Sequence, residues 1–263
     1  MAEATATDGL NKRFSLAGKV ALVLGGSSGI GRQIALGYGE CGASLAIAGS
    51  TAAKVDDAVG AAAGIGATAA GYTLDVREAG ALERLTADVV ARFGRIDILV
   101  NSQGITRLHP ADAFPDDDYR DIIAINQDSV FEACLGVGRQ MLGQGSGSIV
   151  NIASLASFRG MWLSLAYTMS KHAVLGLTRT LAAEWADRGV RVNAIAPGFF
   201  MTPLNQARMS DERKAAAIAR TPAGRFGELE ELVGAAIYLA SPAAGFVTGE
   251  TITVDGGYLA SGI

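Results

Sequence analysis

Cysteine is nearly absent: Cys41 and Cys134 are the two in 263 residues, and they lie far apart in the chain. They match no metal-ligand spacing and build no disulfide framework, so both read as apolar filler and no metal site is expected. Basic residues never form a long run, and the formal net charge is −4. A nucleic acid or a membrane surface would therefore meet no electrostatic footprint. An anionic small molecule would need local basic residues, not a general field. No uninterrupted apolar stretch reaches membrane-spanning length. The opening residues, MAEATATDGLNKRF, lack the apolar core of a secretory signal. The expected location is the cytoplasm. The expected partner is a small-molecule substrate, with no nucleic acid and no membrane.

What is present is apolar and rhythmic. Apolar residues make up 49% of the chain, and 34 glycines are scattered among them without a collagen-like period. Short apolar runs read as buried strands: KVALVLG (19–25), SLAIAG (44–49), TAAGYTLDV (68–76), IDILVN (96–101), GSIVNIAS (147–154), VRVNAIAP (190–197) and TITVDGG (251–257). Helical spacing fills the gaps, first in GIGRQIALGYGECG with Gly42 as its stop. It returns near 51–63, 78–92, 116–142, 162–186 and 228–241. Strands alternating with helices specify an α/β fold, a doubly wound parallel sheet of about seven strands with helices on both faces. Residues 1–17 are expected to be a loose arm and 18–263 a single domain. The long stretch 199–226 breaks the rhythm and is expected to be a lid.

Two groups of residues carry chemistry. LGGSSGIG (24–31) joins the first strand to the first helix. In that context Gly25 permits a tight turn, Gly29 lets backbone approach a pyrophosphate, and Gly31 permits close helix packing. Amides of Ser27, Ser28, Ile30 and their neighbours at the helix start then cradle phosphate. The second group is Tyr167 and Lys171 in AYTMSKHAV, four residues apart and hence on one helix face. Hydride transfer from an alcohol carbon needs a partner for the hydroxyl proton. A tyrosine can serve, but bringing its pKa from about 10 to about 7 takes about 4 kcal/mol. A lysine charge at about 4 Å supplies about 1 kcal/mol in bulk water and about 4 at an effective dielectric near 20. The pair therefore works only in a partly desolvated cleft.

From residue 14 onward these motifs resemble the short-chain dehydrogenase/reductase family. The glycines follow its Gly25-x-x-x-Gly29-x-Gly31 spacing. LDV (74–76) matches its adenine-contacting segment at Asp75 and Val76, and NSQG (101–104) stands where it has Asn-Asn-Ala-Gly, giving Asn101 and Gly104. PGFFMT (197–202) matches its nicotinamide-side loop, with Pro197, Gly198, Phe200 and Thr202. The resemblance implies a Rossmann-type domain and a catalytic set of Asn126, Ser154, Tyr167 and Lys171. Tyr167 is then the acid/base. Lys171 lowers its pKa and binds ribose hydroxyls, Ser154 bonds the substrate oxygen, and Asn126 holds a water linking Lys171 to solvent. The helices at 116–142 and 162–186 resemble those that pair subunits in the family, which implies a homotetramer. Leu24 replaces a common Thr, and Ser102 and Gln103 replace Asn and Ala.

Cofactor and substrate are read from smaller signs. After the second strand the sequence runs AGSTAAK (48–54), with no carboxylate for free ribose hydroxyls. Ser50 and Thr51 suit a 2′-phosphate, with Lys54 nearby, so NADP is preferred and NAD is the alternative. The tail 220–257, with NIASLASFRG (151–160) and TRTLAAEWA (178–186), resembles the gluconate and ketogluconate dehydrogenase branch, which implies a sugar acid or polyol. It also resembles the 3-oxoacyl carrier-protein reductases, the alternative reading. A dinucleotide-binding sensor without turnover is a third, opposed by the intact Ser154, Tyr167 and Lys171. Arg107, His109 and Arg159 follow strand ends, where they pair a substrate carboxylate or stand as solvated charges. Trp162 lines the pocket or packs, and His172 is expected to pack or to serve an interface.

Overall fold

The computed structural model describes residues 6–202, 206 and 209–261. Seven strands form one sheet: β1 (Val20–Leu24), β2 (Ser44–Gly49), β3 (Ala69–Thr73), β4 (Ile98–Asn101), β5 (Gly147–Ile152), β6 (Val190–Pro197) and β7 (Thr251–Val254), in the order β3-β2-β1-β4-β5-β6-β7. Every pairing is parallel. The helices are α1 (Ala6–Phe14), α2 (Gly29–Glu40), α3 (Ala52–Gly64), α4 (Ala81–Phe93), α5 (Asp116–Ile123), α6 (Ser129–Gln144), α7 (Leu165–Trp185), α8 (Asp211–Arg220) and α9 (Val233–Ala240).

Alternation along each strand feeds two cores. On β1, Val20, Leu22 and Leu24 join Leu85 and Val89 of α4, Val137 of α6 and Leu181 of α7. Ala21 and Val23 join Ile34 and Tyr38 of α2, Ala58 of α3 and Leu239 of α9 on the other side. The strands are apolar throughout because both faces are covered. Strand order reverses between β1 and β4, and the cleft opens there, at the carboxyl ends of the strands. At the opposite end Asp97 is 4% exposed and accepts from Val20 N at 3.0 Å, Lys19 Nζ at 3.2 Å and Arg95 Nη2 at 2.6 Å. This carboxylate ties the starts of β1 and β4.

Several expectations need correction. The arm at 1–17 holds helix α1, whose Phe14 ring lies 6.4 Å from that of Tyr238 on α9, and Leu16 is fully buried. Nine residues, five of them polar, gave no apolar stripe, but Lys12 and Arg13 suit the negative end of that helix. The helix expected over 116–142 is interrupted by a π-helical turn, Ala124–Asp128. The stretch 199–226 contains α8, while residues 203–205, 207 and 208 lie outside the described residues.

Asp97→Ala should lower the unfolding free energy by about 2 kcal/mol, since it strips charge-assisted bonds from a buried backbone amide and two cations. Urea denaturation checks this, and a loss below about 0.5 kcal/mol would mean the donors re-solvate at no cost.

Candidate active site

A cleft of about 470 Å³ runs over the carboxyl ends of the strands. Its floor at one end is the glycine loop. Gly29 has φ of +53°, and a side chain there would point into space whose nearest atom is Thr202 Cγ2 at 3.9 Å. Gly31 is required by packing, since a Cβ there would lie 2.3 Å from Gly25 O. Helix α2 is preceded by the N-cap Ser28, whose side chain makes no cap bond, and no acid sits in its first turn. Its amides are left for an anion. Ser27, Ile30 and Ser50 also line the cleft. Helix α3, whose N-cap Thr51 also makes no side-chain cap bond, likewise begins without an acidic residue.

Leu74 N still bonds Gly49 O at 3.0 Å, and Asp75 and Val76 then turn into the cleft wall. Arg77, which the sequence reading missed, lines it too. Its Nε lies 3.0 Å and its Nη2 2.7 Å from the Asp75 carboxylate, while Nη1 reaches Asp121 on α5 at 3.0 Å. These bonds hold the Asp75 carboxyl below its usual range. A basic residue two positions after Asp75 was the available signal. Its second partner, far along the chain, was not visible.

Gly104 and Gln103 line the cleft; Asn101 does not. Asn101 is 1% exposed and donates to Asn151 Oδ1 at 2.8 Å. It shares strand parity with Leu99, which packs in the α4–α6 core, so its side chain falls under the helices. The expectation of a cofactor contact from that side chain is withdrawn.

The catalytic candidates converge at the other end. Asn126 is fully buried on the π turn, where Oδ1 accepts from Ile105 N at 2.8 Å and Nδ2 donates to Ile105 O at 2.9 Å and Ser170 Oγ at 3.3 Å. The Asn126 amide thus pins the loop after β4 and does not open on the cleft. Ser170 Oγ in turn donates to Tyr167 O at 2.8 Å. Ser154 follows β5 and its Oγ accepts from Ala156 N at 3.1 Å. Burial pushes the Tyr167 phenol up, and a hydrogen bond with Ser154 counters it. Lys171 is 4% exposed, its Nζ donates to Ile152 O at 2.7 Å and it stands 5.8 Å from the Tyr167 ring centroid. Burial pushes its pKa down to about 8. Pro197, Gly198, Phe200 and Thr202 close this end.

The three cations at strand ends separate. His109 Nε2 sits 2.6 Å from Asp118, and Arg107 Nε lies 3.6 Å from the same carboxylate. Arg159 instead lies over the Tyr258 ring, 5.6 Å from its centroid. Trp162 is 84% exposed and neither packs nor lines the cleft. His172 Nδ1 faces Thr168 O at 2.9 Å on an exposed part of α7. Among the described residues both cysteines are free, and no helix is long and apolar enough to cross a membrane.

A glycine-floored groove at the switch point of a parallel sheet, ending in a serine, a tyrosine and a buried lysine, defines a nucleotide-dependent oxidoreductase. Residues 25–259 match the family model described as Enoyl-(Acyl carrier protein) reductase. The chain is 41% identical over 245 residues to a D-threitol dehydrogenase of Mycolicibacterium smegmatis, covering 93% of this chain and 94% of that one. It is 41% identical over 249 residues to a 2-dehydro-3-deoxy-D-gluconate 5-dehydrogenase of Dickeya dadantii, covering 94% and 98%. The crystal structure of a gluconate 5-dehydrogenase from Burkholderia cenocepacia, in complex with NADP and tartrate, superposes with a TM-score of 0.92 at 39% identity, covering 96% and 99%. The chain belongs to the short-chain dehydrogenase/reductase family.

Lys171 yields a pH test. Its folded pKa, about 8, lies below the unfolded 10.5, so the unfolded chain holds the extra proton between those values and stability rises with pH there. Relative to Lys171→Met, the free protein should gain about 3 kcal/mol from pH 8 to 10.5. Parallel denaturation curves across that range would expose a lysine that is not desolvated.

Proposed function

We propose that this chain transfers a hydride between NADP and a secondary hydroxyl or ketone of a sugar acid. The observation that carries this is the buried Lys171 ammonium beside Tyr167, with no carboxylate among the described residues to neutralise it. A lysine spent on structure would have such a partner. Relatives named for gluconate, its keto and deoxy derivatives, and threitol support the substrate class. The 3-oxoacyl reductase alternative is weaker: the family model's description names an enoyl-(acyl carrier protein) reductase, a different acyl reaction.

The residues present fit NADP. Two helix starts without acid or side-chain cap, and Gly29 opening on the cleft, suit a pyrophosphate and a further phosphate. Ser27, Ser28, Gly29 and Ile30 would hold the first. Ser50 and the start of α3 would hold a 2′-phosphate, with no carboxylate there to repel it. Asp75 and Val76 would border the adenine, Lys171 the ribose, and Pro197, Gly198, Phe200 and Thr202 the nicotinamide. When bound, the nicotinamide supplies the hydride acceptor or donor and, oxidised, a positive charge near the phenol.

The chain's own groups handle the proton. Ser154 Oγ orients the substrate oxygen. Tyr167 Oη takes the hydroxyl proton in oxidation and returns it in reduction. The Lys171 charge favours the phenolate, and at 4% exposure it is weakly screened by solvent. Asn126 pins Ile105 beside this centre, and a water there would link Lys171 to solvent. The proposal extends to a cytoplasmic homotetramer. Half-exposed Phe131 on α6, which lines a hollow with Val174 and Leu177 of α7, and half-exposed Met169 on α7 support pairing through those helices.

Tyr167→Phe should cut turnover of D-gluconate with NADP at least 100-fold, by the usual worth of a general base, while NADP affinity stays within twofold. Equal turnover would remove Tyr167 from the chemistry. Ser50→Asp should shift the kcat/KM ratio toward NAD at least tenfold, because a carboxylate repels a 2′-phosphate. An unchanged ratio would mean that Ser50 does not face the ribose.

A further inference from the structure

Resting on that hydride-transfer reading, we propose that Arg159 forms a carboxylate-binding subsite, which selects acidic over neutral polyhydroxy substrates. Ser154 and Tyr167 both face the cleft, and residues 155–164 are the span that connects them. That span reads LASFRGMWLS, and Arg159 is its one charged residue. The span itself does not line the cleft; it leaves from Ser154 and returns at Tyr167, so a long substrate held between those two residues would reach toward it.

The span is held rather than loose. Leu163 O accepts from His109 N at 3.0 Å, and Ser157 Oγ donates to Lys171 O at 2.7 Å. Arg159 stacks on Tyr258, which is 6% exposed. The Tyr258 ring lies 5.4 Å from that of Phe199, between the cleft residues Gly198 and Phe200. Stacking fixes the guanidinium plane while its N–H edges stay available. A carboxylate accepts two such edges in parallel.

The other cations at strand ends are committed. His109 and Arg107 share Asp118, and Arg107 Nη1 also donates to Thr106 O at 3.2 Å. Arg77 is shared between Asp75 and Asp121. Arg159 has no carboxylate partner among the described residues. The chain is net −4, so an anionic substrate needs a local cation of this kind. A neutral polyol has no use for it.

The test compares wild type, Arg159→Gln and Arg159→Lys with NADP, using D-gluconate and the neutral polyols sorbitol and threitol. Arg159 is exposed, so the variants keep the fold. The expected result is a KM for gluconate raised at least tenfold in Arg159→Gln, with kcat and NADP affinity within twofold, polyol kinetics unchanged, and part of the loss recovered by lysine. Gluconate KM in wild type should also rise with salt, and less so in Arg159→Gln. An unchanged gluconate KM, a loss confined to kcat, or equal losses on acid and polyol would overturn the subsite. So would a wild type that oxidises polyols and rejects gluconate, which leaves the hydride-transfer reading standing. A wild type inert on every substrate sinks that reading and the subsite together.

Discussion

The ammonium of Lys171, buried at the root of the cleft with the Ile152 carbonyl as its hydrogen-bond acceptor, costs the fold about 3 kcal/mol at neutral pH. Much of the neighbouring structure makes that position tolerable. Strand β5 ends so that its last carbonyl meets the charge. Ser157 anchors the lysine's backbone, and Ser170 that of Tyr167. Asn126 grips Ser170 from one side and the Ile105 backbone from the other. Sheet, helix α7 and the loop after β4 thus meet at one cation. What the fold loses in stability there, the site holds as an electrostatic field beside the tyrosine.

Legibility in the sequence followed interaction range. Tyr167 and Lys171 were readable because helical geometry alone places positions i and i+4 together. The glycines were readable because a strand ended before them and a helix began after. Arg77 was not, since its meaning comes from Asp121, brought near only by the fold. The π turn left no trace in hydrophobic spacing. Asn101 was legible in principle: Leu99 and Ile149 are core residues on the helix side, and Asn101 and Asn151 continue their parity. Both asparagines accordingly lie under the helices, bonded to each other, with Asn151 also donating to Thr178 Oγ1 at 2.9 Å. A family pattern drew Asn101 toward the cofactor where strand alternation pointed away.

Charge is handled locally throughout. Asp97 collects two cations and an amide at the amino ends of β1 and β4, far from the chemistry. Asp75, Arg77 and Asp121 close a chain across the nucleotide end. Asp118 absorbs Arg107 and His109. Beside these matched pairs, Lys171 and Arg159 have no carboxylate partner among the described residues: one is buried and the other is stacked on Tyr258.

The π turn at Ala124–Asp128 fixes an angular phase. A helical residue advances the side chains by about 100°, and a π turn carries one residue more than a regular turn. Upstream of it Ile122 faces the core; downstream Val130, Ala133, Val137 and Met141 do so, with Asn126 turned toward Ile105 in between. Shortening the turn by one residue would keep the upstream face and rotate the downstream seam off the sheet, or keep the seam and swing Asn126 away. The helix can therefore drift in sequence but not in length at this point. Insertions and deletions should be tolerated on its solvent-facing loops and refused between Ala124 and Asp128.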